Sequence, residues 1–204
     1  MPIFSINNKR ILFIHIPKTG GTSIETWLES LGVMNFYAPL TPDGFRSSPQ
    51  HFRMADFNLL FGEDYQWDYA FTIVRNPYEK LRSEYFYRAT NQKRHSYSEW
   101  IRRLLTQYIK NNFVLDNHLR PQNHFIESNL DVFKFEDGMD NIIAEIAPKI
   151  GVDKPAVVPK ENVSVKQETK LSNETLNLIN RIYKNDFDQL GYTMLKPKIN
   201  INNL

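Results

Sequence analysis

The stretch from Ile11 to Trp27, ILFIHIPKTGGTSIETW, leaves this chain few choices of fold. Ile11 to Ile16 is a short apolar run rich in branched side chains. That is the pattern of a strand buried on both faces, as parallel strands inside α/β sheets are. Pro17 ends the run, and Gly20-Gly21 permits a tight turn whose backbone can approach a ligand with no Cβ in between. Ile24, Trp27, Leu28 and Leu31 then recur at i, i+3, i+4 and i+7, the apolar stripe of a helix. Thr22 and Ser23 fall in the first turn of that helix, where unpaired N–H groups and the dipole favour an anion. A strand, a glycine turn carrying Lys18 and a hydroxyl-rich helix start describe a phosphate cradle.

The order of residues decides which cradle. A nucleoside-triphosphatase loop reads GxxxxGK[ST], with lysine after the last glycine. Here Lys18 precedes both glycines, and the first glycine of that pattern is absent. A second strand-to-helix turn follows. Trp67 to Val74 (WDYAFTIV) reads as a strand and runs into Arg75-Asn76-Pro77, where Pro77 fits the first turn of a helix. Leu81, Tyr85 and Ala89 follow at i+4 spacings. Arg75 thus closes a strand and Ser83 stands two turns into the next helix, beside the crevice where open α/β sheets bind ligands. A guanidinium grips phosphate through two parallel hydrogen bonds, and a hydroxyl completes the shell.

The string HIPKTGGTS resembles the 5′-phosphosulfate loop of sulfotransferases that use 3′-phosphoadenosine 5′-phosphosulfate (PAPS). It looks most like the carbohydrate branch, in a soluble bacterial-type form. RNPYEKLRSEYFY resembles the segment that holds the 3′-phosphate, an arginine closing a strand with a serine eight positions later. The resemblance covers roughly Ile11 to Phe135, and the last helix more loosely. It implies a P-loop-like three-layer α/β fold, with a mostly parallel central sheet flanked by helices. It also implies transfer of a sulfuryl group from PAPS to an acceptor hydroxyl, on a carbohydrate, without a metal, leaving adenosine 3′,5′-bisphosphate (PAP). Lys18 would then face the bridging oxygen, and Lys18, Thr19, Gly20, Gly21, Thr22 and Ser23 would hold the 5′-phosphate. Arg75 and Ser83 would hold the 3′-phosphate. LRPQNHF resembles a segment bordering the acceptor cleft, which makes Arg120, Gln122 and His124 acceptor-side candidates. His51, at the junction of a Pro/Ser-rich loop and the next helix, is the expected general base. His124 is the second choice, and Glu84 or Glu136 would serve if a glutamate takes that role.

Two other readings stay open. A small-molecule or nucleotide kinase needs metal-binding carboxylates and a lysine after the glycines, and Asp68 precedes its strand rather than ending it. A non-catalytic nucleotide- or glycan-binding module would keep the same pocket.

The remaining segments read as follows. Val33 to Ala38 is a short strand, and Phe52, Ala55, Leu59 and Leu60 are expected on one face of a helix ended by Gly62. Tyr97 to Tyr108 is a helix, Leu130 to Phe135 a strand, and Met139 to Ile150 a helix whose last turn Pro148 is expected to break. Gly151 to Lys170 is a long loop holding Lys160, Asn162 and Ser164, the candidates for a nucleotide lid. Ser172 caps a last helix in which Leu176, Ile179, Tyr183, Phe187 and Leu190 form one face. His118 and His124 read as loop histidines, not at metal-ligand spacing.

A chain of 204 residues suffices for one domain over 1–204, with a core from about 10 to 195 and a fraying tail at 196–204. Its 25 basic and 23 acidic residues leave +2, too little for a nucleic-acid surface, so any anion site depends on local placement. The absence of cysteine excludes disulfides and thiolate metal sites. No apolar run approaches the ~20 residues of a membrane span. MPIFSINNKR lacks the apolar core of a signal peptide, so a cytoplasmic location is expected.

Overall fold

The structure, a computed structural model, describes residues 2–62, 64–88, 96–127, 129–155, 157 and 169–197. The lid candidates Lys160, Asn162 and Ser164, and all but two residues of the expected tail, lie outside the described residues.

Five strands form one sheet: β1 (Ile3–Ile6), β2 (Lys9–Ile14), β3 (Val33–Asn35), β4 (Tyr69–Val74) and β5 (Asp131–Lys134), in the order β3-β1-β2-β4-β5. β2 pairs in parallel with β4 and β4 with β5, while β1 is antiparallel to both β2 and β3. Four of the five strands therefore point the same way, and β1 alone is reversed. β1 is an element that the sequence reading lacks. Its hairpin to β2 turns at Asn7 and Asn8, both at positive φ (49° and 61°), as tight two-residue hairpins require. Asp68, the carboxylate considered for a kinase-type metal site, lies at the amino end of β4. There its carboxylate accepts from the Arg10 N–H at 2.7 Å, at the opposite end of the sheet from the glycine turn.

Strand alternation sends two sets of side chains to opposite faces. Phe4, Ile11, Phe13, Phe71 and Ile73 pack against α1 (Gly21–Glu29) and α5 (Met139–Ile150), while Leu12, Ile14, Ala70 and Val74 meet Phe52, Phe125 and α2 (Met54–Phe61). A third cluster lies among α3 (Pro77–Arg88), α4 (Tyr97–Lys110), α6 (Asn173–Ile182) and α7 (Lys184–Leu190). The result is an α/β fold with helix layers on both faces of a mostly parallel sheet. Among the described residues no helix is long and apolar enough to cross a membrane.

Three details depart from the sequence reading. In α2 the inward face carries Met54 and Phe57, whereas Ala55, Leu59 and Leu60 are exposed, Leu59 at 86%. The error is one of register. The helix starts at Met54, behind a capping box made by Arg53 and Asp56, so Phe52 packs from outside it. Pro148 does not break α5, which runs on to Ile150 and stops at Gly151 in the left-handed conformation. The last helix is two helices, α6 and α7, meeting at the fully buried Tyr183.

The corrected face of α2 has a direct test in thermal melting. Phe57→Ala should cost about 3–5 kcal/mol. Leu59→Ala should stay within about 0.5 kcal/mol. Equal losses would return Leu59 to the core.

Candidate active site

Because β2, β4 and β5 are parallel neighbours, their carboxyl ends at Ile14, Val74 and Lys134 lie side by side at one edge of the sheet, the edge where open α/β sheets bind ligands. Each strand releases a loop there. The loop after β2 is the glycine turn. Thr19 sits fully buried with its hydroxyl donating to Ile16 O at 2.8 Å, so its side chain braces the loop rather than facing a phosphate. Lys18 adopts φ 68°, a left-handed conformation uncommon for a residue with a Cβ and typical of functional turns. Gly20 is required by its φ of 88°, and Gly21 by packing. A Cβ on Gly20 would stand 2.6 Å from Met139 Cε, and one on Gly21 only 2.2 Å from His15 Nε2. α1 then begins with no acidic residue in its first turn and no side chain capping it. The Ser23 N–H turns back to Gly20 O at 3.1 Å, which leaves the N–H groups of Gly21 and Thr22 as its outward donors. Thr22 is exposed and Ser23 is buried.

The loop after β4 begins with Arg75. Its Nη1 donates to Lys18 O at 3.2 Å, its guanidinium carbon lies 4.3 Å from the Phe135 ring centroid, and its buried Nε has no partner. The backbone of Arg75 is held as if by another strand. The Gln122 amide donates to Arg75 O at 2.7 Å and accepts from Arg75 N–H at 2.8 Å, and Asp186 of α7 accepts from the Gln122 and Asn123 N–H groups, both at 2.9 Å. Gln122 is fully buried and fully engaged, so it positions Arg75 instead of lining an acceptor cleft. Glu136 works alongside it, accepting from Asn76 N–H at 2.8 Å and from the Tyr192 hydroxyl at 2.9 Å. Ser83 lies buried on the inward face of α3, next to Glu84.

Among the described residues neither Lys18 nor Arg75 forms an ion pair with a carboxylate. Burial lowers the pKa of each. For Lys18 the charge of Glu84 opposes that shift and Arg75 reinforces it, whereas for Arg75 Glu79 and Glu136 oppose it. The ammonium of Lys18 sits over the Tyr87 ring, 3.7 Å from its centroid. Two partly desolvated cations without counter-ions, on adjacent strand ends, form a site for an anion with two charged groups.

Beside the cations lies a cluster of histidines that the sequence reading did not assemble. His51 stands edge-on to His15 at 5.2 Å and to His118 at 4.9 Å between ring centroids. Each ring engages a carboxylate through Nδ1: His15 with Glu25 at 2.6 Å, His51 with Asp116 at 2.7 Å, and His118 with Glu84 at 2.7 Å. Glu84 also pairs with Arg88, and Lys80, almost wholly buried, donates to His118 O at 2.5 Å. Burial drives the pKa of His51 down to about 3, against the opposing pull of Asp116, so the ring is neutral near pH 7. Burial lowers His118 as well. His124 is exposed and outside this cluster. Arg120 is buried, its Nε donating to Asn117 Oδ1 at 2.8 Å, and its guanidinium lies over Phe113. Among the described residues no group of three His, Asp or Glu side chains is arranged to hold a metal ion.

A neutral buried histidine has a consequence for stability. Its folded pKa lies below the unfolded value, so the unfolded chain binds more protons between about pH 6.5 and about pH 3, and acid favours unfolding there. The stabilisation is intact above about pH 6.5 and is lost as pH falls through that window. The depressed carboxylates Asp116 and Glu84 add losses of the same sign at lower pH. His51→Gln should flatten the dependence of unfolding free energy on pH between 6.5 and 4.5, by at most about 1.4 kcal/mol per pH unit. An unchanged slope in chemical denaturation would contradict a neutral His51.

The chain matches no curated protein and no solved structure. A sequence model of the sulfotransferase family matches residues 2–193, which take in both strand–turn–helix units, the histidine cluster and the helices that support them. With nearly the whole chain matched, the protein belongs to the sulfotransferase family.

Proposed function

We propose that this protein transfers a sulfuryl group from PAPS to an acceptor hydroxyl, with a carbohydrate as the acceptor. The observation that carries the reading is the pair of half-buried cations, Lys18 and Arg75, neither ion-paired with a carboxylate among the described residues, on two loops joined where the Arg75 guanidinium donates to the Lys18 carbonyl at 3.2 Å. A donor with a 5′-phosphosulfate and a 3′-phosphate has anionic groups for both. The unpartnered buried Nε of Arg75 and the uncapped start of α1 fit such a ligand. When bound, PAPS supplies an activated sulfuryl group whose sulfur–oxygen bond to phosphate breaks as the bond to the acceptor oxygen forms.

The residues of the chain divide that work. Lys18, the α1 N–H groups and the buried Ser23 hold the 5′ end, and Lys18 stabilises the negative charge that grows on the departing phosphate oxygen. Arg75 and Ser83 hold the 3′-phosphate and fix the register of the donor. His51 takes the acceptor proton on Nε2, the nitrogen that Asp116 leaves unengaged. No step calls on a metal. The sugar preference rests on the resemblance of the glycine loop to the carbohydrate branch, and Arg120 and His124 border the acceptor side.

Adenosine 3′,5′-bisphosphate at a hundredfold over its Kd should stabilise the fold by about 2.7 kcal/mol. For a chain of this size that is a rise in Tm of roughly 5–10 °C. An equal response to ATP would contradict the reading. In a sulfate-transfer assay, Lys18→Ala should keep the free protein's Tm and lose about 10²–10³ in kcat. Turnover should survive EDTA, and loss restored by magnesium would favour a kinase.

A further inference from the structure

Between α4 and Gln122 the chain makes a turn of unusual hand. Leu115, Asp116 and Asn117 have φ values of 53°, 55° and 64°, three successive side-chain-bearing residues in the left-handed region. Asp and Asn tolerate that region better than other such residues, and such turns persist where surrounding contacts over-determine them. The side-chain contacts of Asp116, and one of those of Asn117, reach the segment that carries His51. Asp116 Oδ1 accepts from Ser48 N–H at 2.6 Å, and Oδ2 accepts from the Ser48 hydroxyl and from His51 Nδ1, both at 2.7 Å. Asn117 Nδ2 donates to His51 O at 3.0 Å, and its Oδ1 accepts from Arg120 Nε at 2.8 Å. His118, the next residue, closes on the His51 ring edge-on. The carboxylate therefore has a donor on each oxygen and is tied to the backbone N–H of the loop it orients.

We propose that Asp116, presented by this left-handed turn, is the positioning residue of the active site, holding His51 with its proton on Nδ1 and its lone pair on Nε2. The inference rests on the reading of His51 as the base, and goes beyond it by assigning what makes that ring a base. A neutral imidazole carries one proton, and whichever nitrogen donates leaves the other as acceptor. With Nδ1–H fixed on Asp116, Nε2 is left as the ring's acceptor, the nitrogen that can take the proton of the acceptor hydroxyl. Ser48 is the second part of the clamp. Its two bonds to Asp116 leave the carboxylate one orientation, so the ring plane follows from the loop geometry.

Asparagine tests this with little change of shape, because it tolerates the left-handed turn. The Ser48 N–H requires an acceptor, which places the amide oxygen there and turns the NH2 toward His51 Nδ1. That arrangement makes Nδ1 the acceptor and moves the ring proton to Nε2. Long-range 1H–15N NMR of the full chain at neutral pH reads the tautomer without turnover, with the His51 signals assigned by their loss in His51→Gln. The wild type should show a neutral ring with the proton on Nδ1. Asp116→Asn should shift that proton to Nε2 and lower kcat for sulfate transfer by at least about a hundredfold, as expected for a base held in the wrong tautomer. KM for PAPS should stay within about twofold, since Asp116 faces the acceptor side. A wild-type His51 that is charged or carries its proton on Nε2 overturns the proposal, even if the variant fails to fold. Asp116→Asn with normal kcat also overturns it. Normal turnover by His51→Gln would overturn the base assignment itself, an outcome told apart because the tautomer is measured in the free protein.

Discussion

The hydrogen bond from the Arg75 guanidinium to the carbonyl of Lys18 is the contact on which the site depends. It joins the loops that leave β2 and β4, two parallel neighbours whose strand ends would otherwise carry independent turns. Parallel pairing sets the spacing of those turns, and the bond sets their mutual orientation. Everything around it serves the same geometry. Phe135, from the loop after β5, supports the guanidinium plane, and Gln122 clamps the Arg75 backbone where the sheet has run out of strand. Asp186, buried in α7, accepts from the backbone that presents Gln122. The last helix thus reaches the cation site through a chain of hydrogen bonds without touching the ligand crevice.

The interior beneath the site is polar, at a cost in desolvation that an apolar core would avoid. Lys80 and Glu84 lie buried on the inward face of α3. Glu84 faces two ways. Its charge supports the ammonium of Lys18, and its carboxylate holds His118, which stands edge-on to His51. Lys18 and the histidine cluster are therefore connected through one carboxylate. Such a buried network fixes orientations that apolar packing leaves loose, provided each group has a partner.

The strand–turn–helix units could be read from the sequence because each is local. Apolar run, glycines, lysine and helical stripe follow one another within Ile11 to Leu31, and Arg75 follows its strand directly. The antiparallel β1 is not legible because Ile3 to Ile6 is short and its polar Asn-Asn turn reads as an interruption rather than as a hairpin. The inward face of α2 shifts because Phe52 lies outside the helix. Asp116 and Gln122 could not have been assigned their partners. Their bonds span 65 and 47 residues, and the turn that aims Asp116 has a hand that no propensity pattern announces. Periodicity carries the elements, while the hydrogen bonds between distant loops appear only in three dimensions.

The paired-cation site requires Lys18 and Arg75 to hold two ends of one nucleotide. Calorimetric titration of the wild type and Arg75→Ala with adenosine 3′,5′-bisphosphate and with adenosine 5′-monophosphate separates the two ends. The wild type should prefer the bisphosphate by at least about tenfold, the scale of one charge-assisted bidentate contact. Arg75→Ala should lose that preference, weakening the bisphosphate far more than the monophosphate, for which only the brace on the Lys18 carbonyl is lost. If Arg75→Ala weakens both ligands equally, Arg75 does not face a 3′-phosphate, and the paired-cation site is wrong.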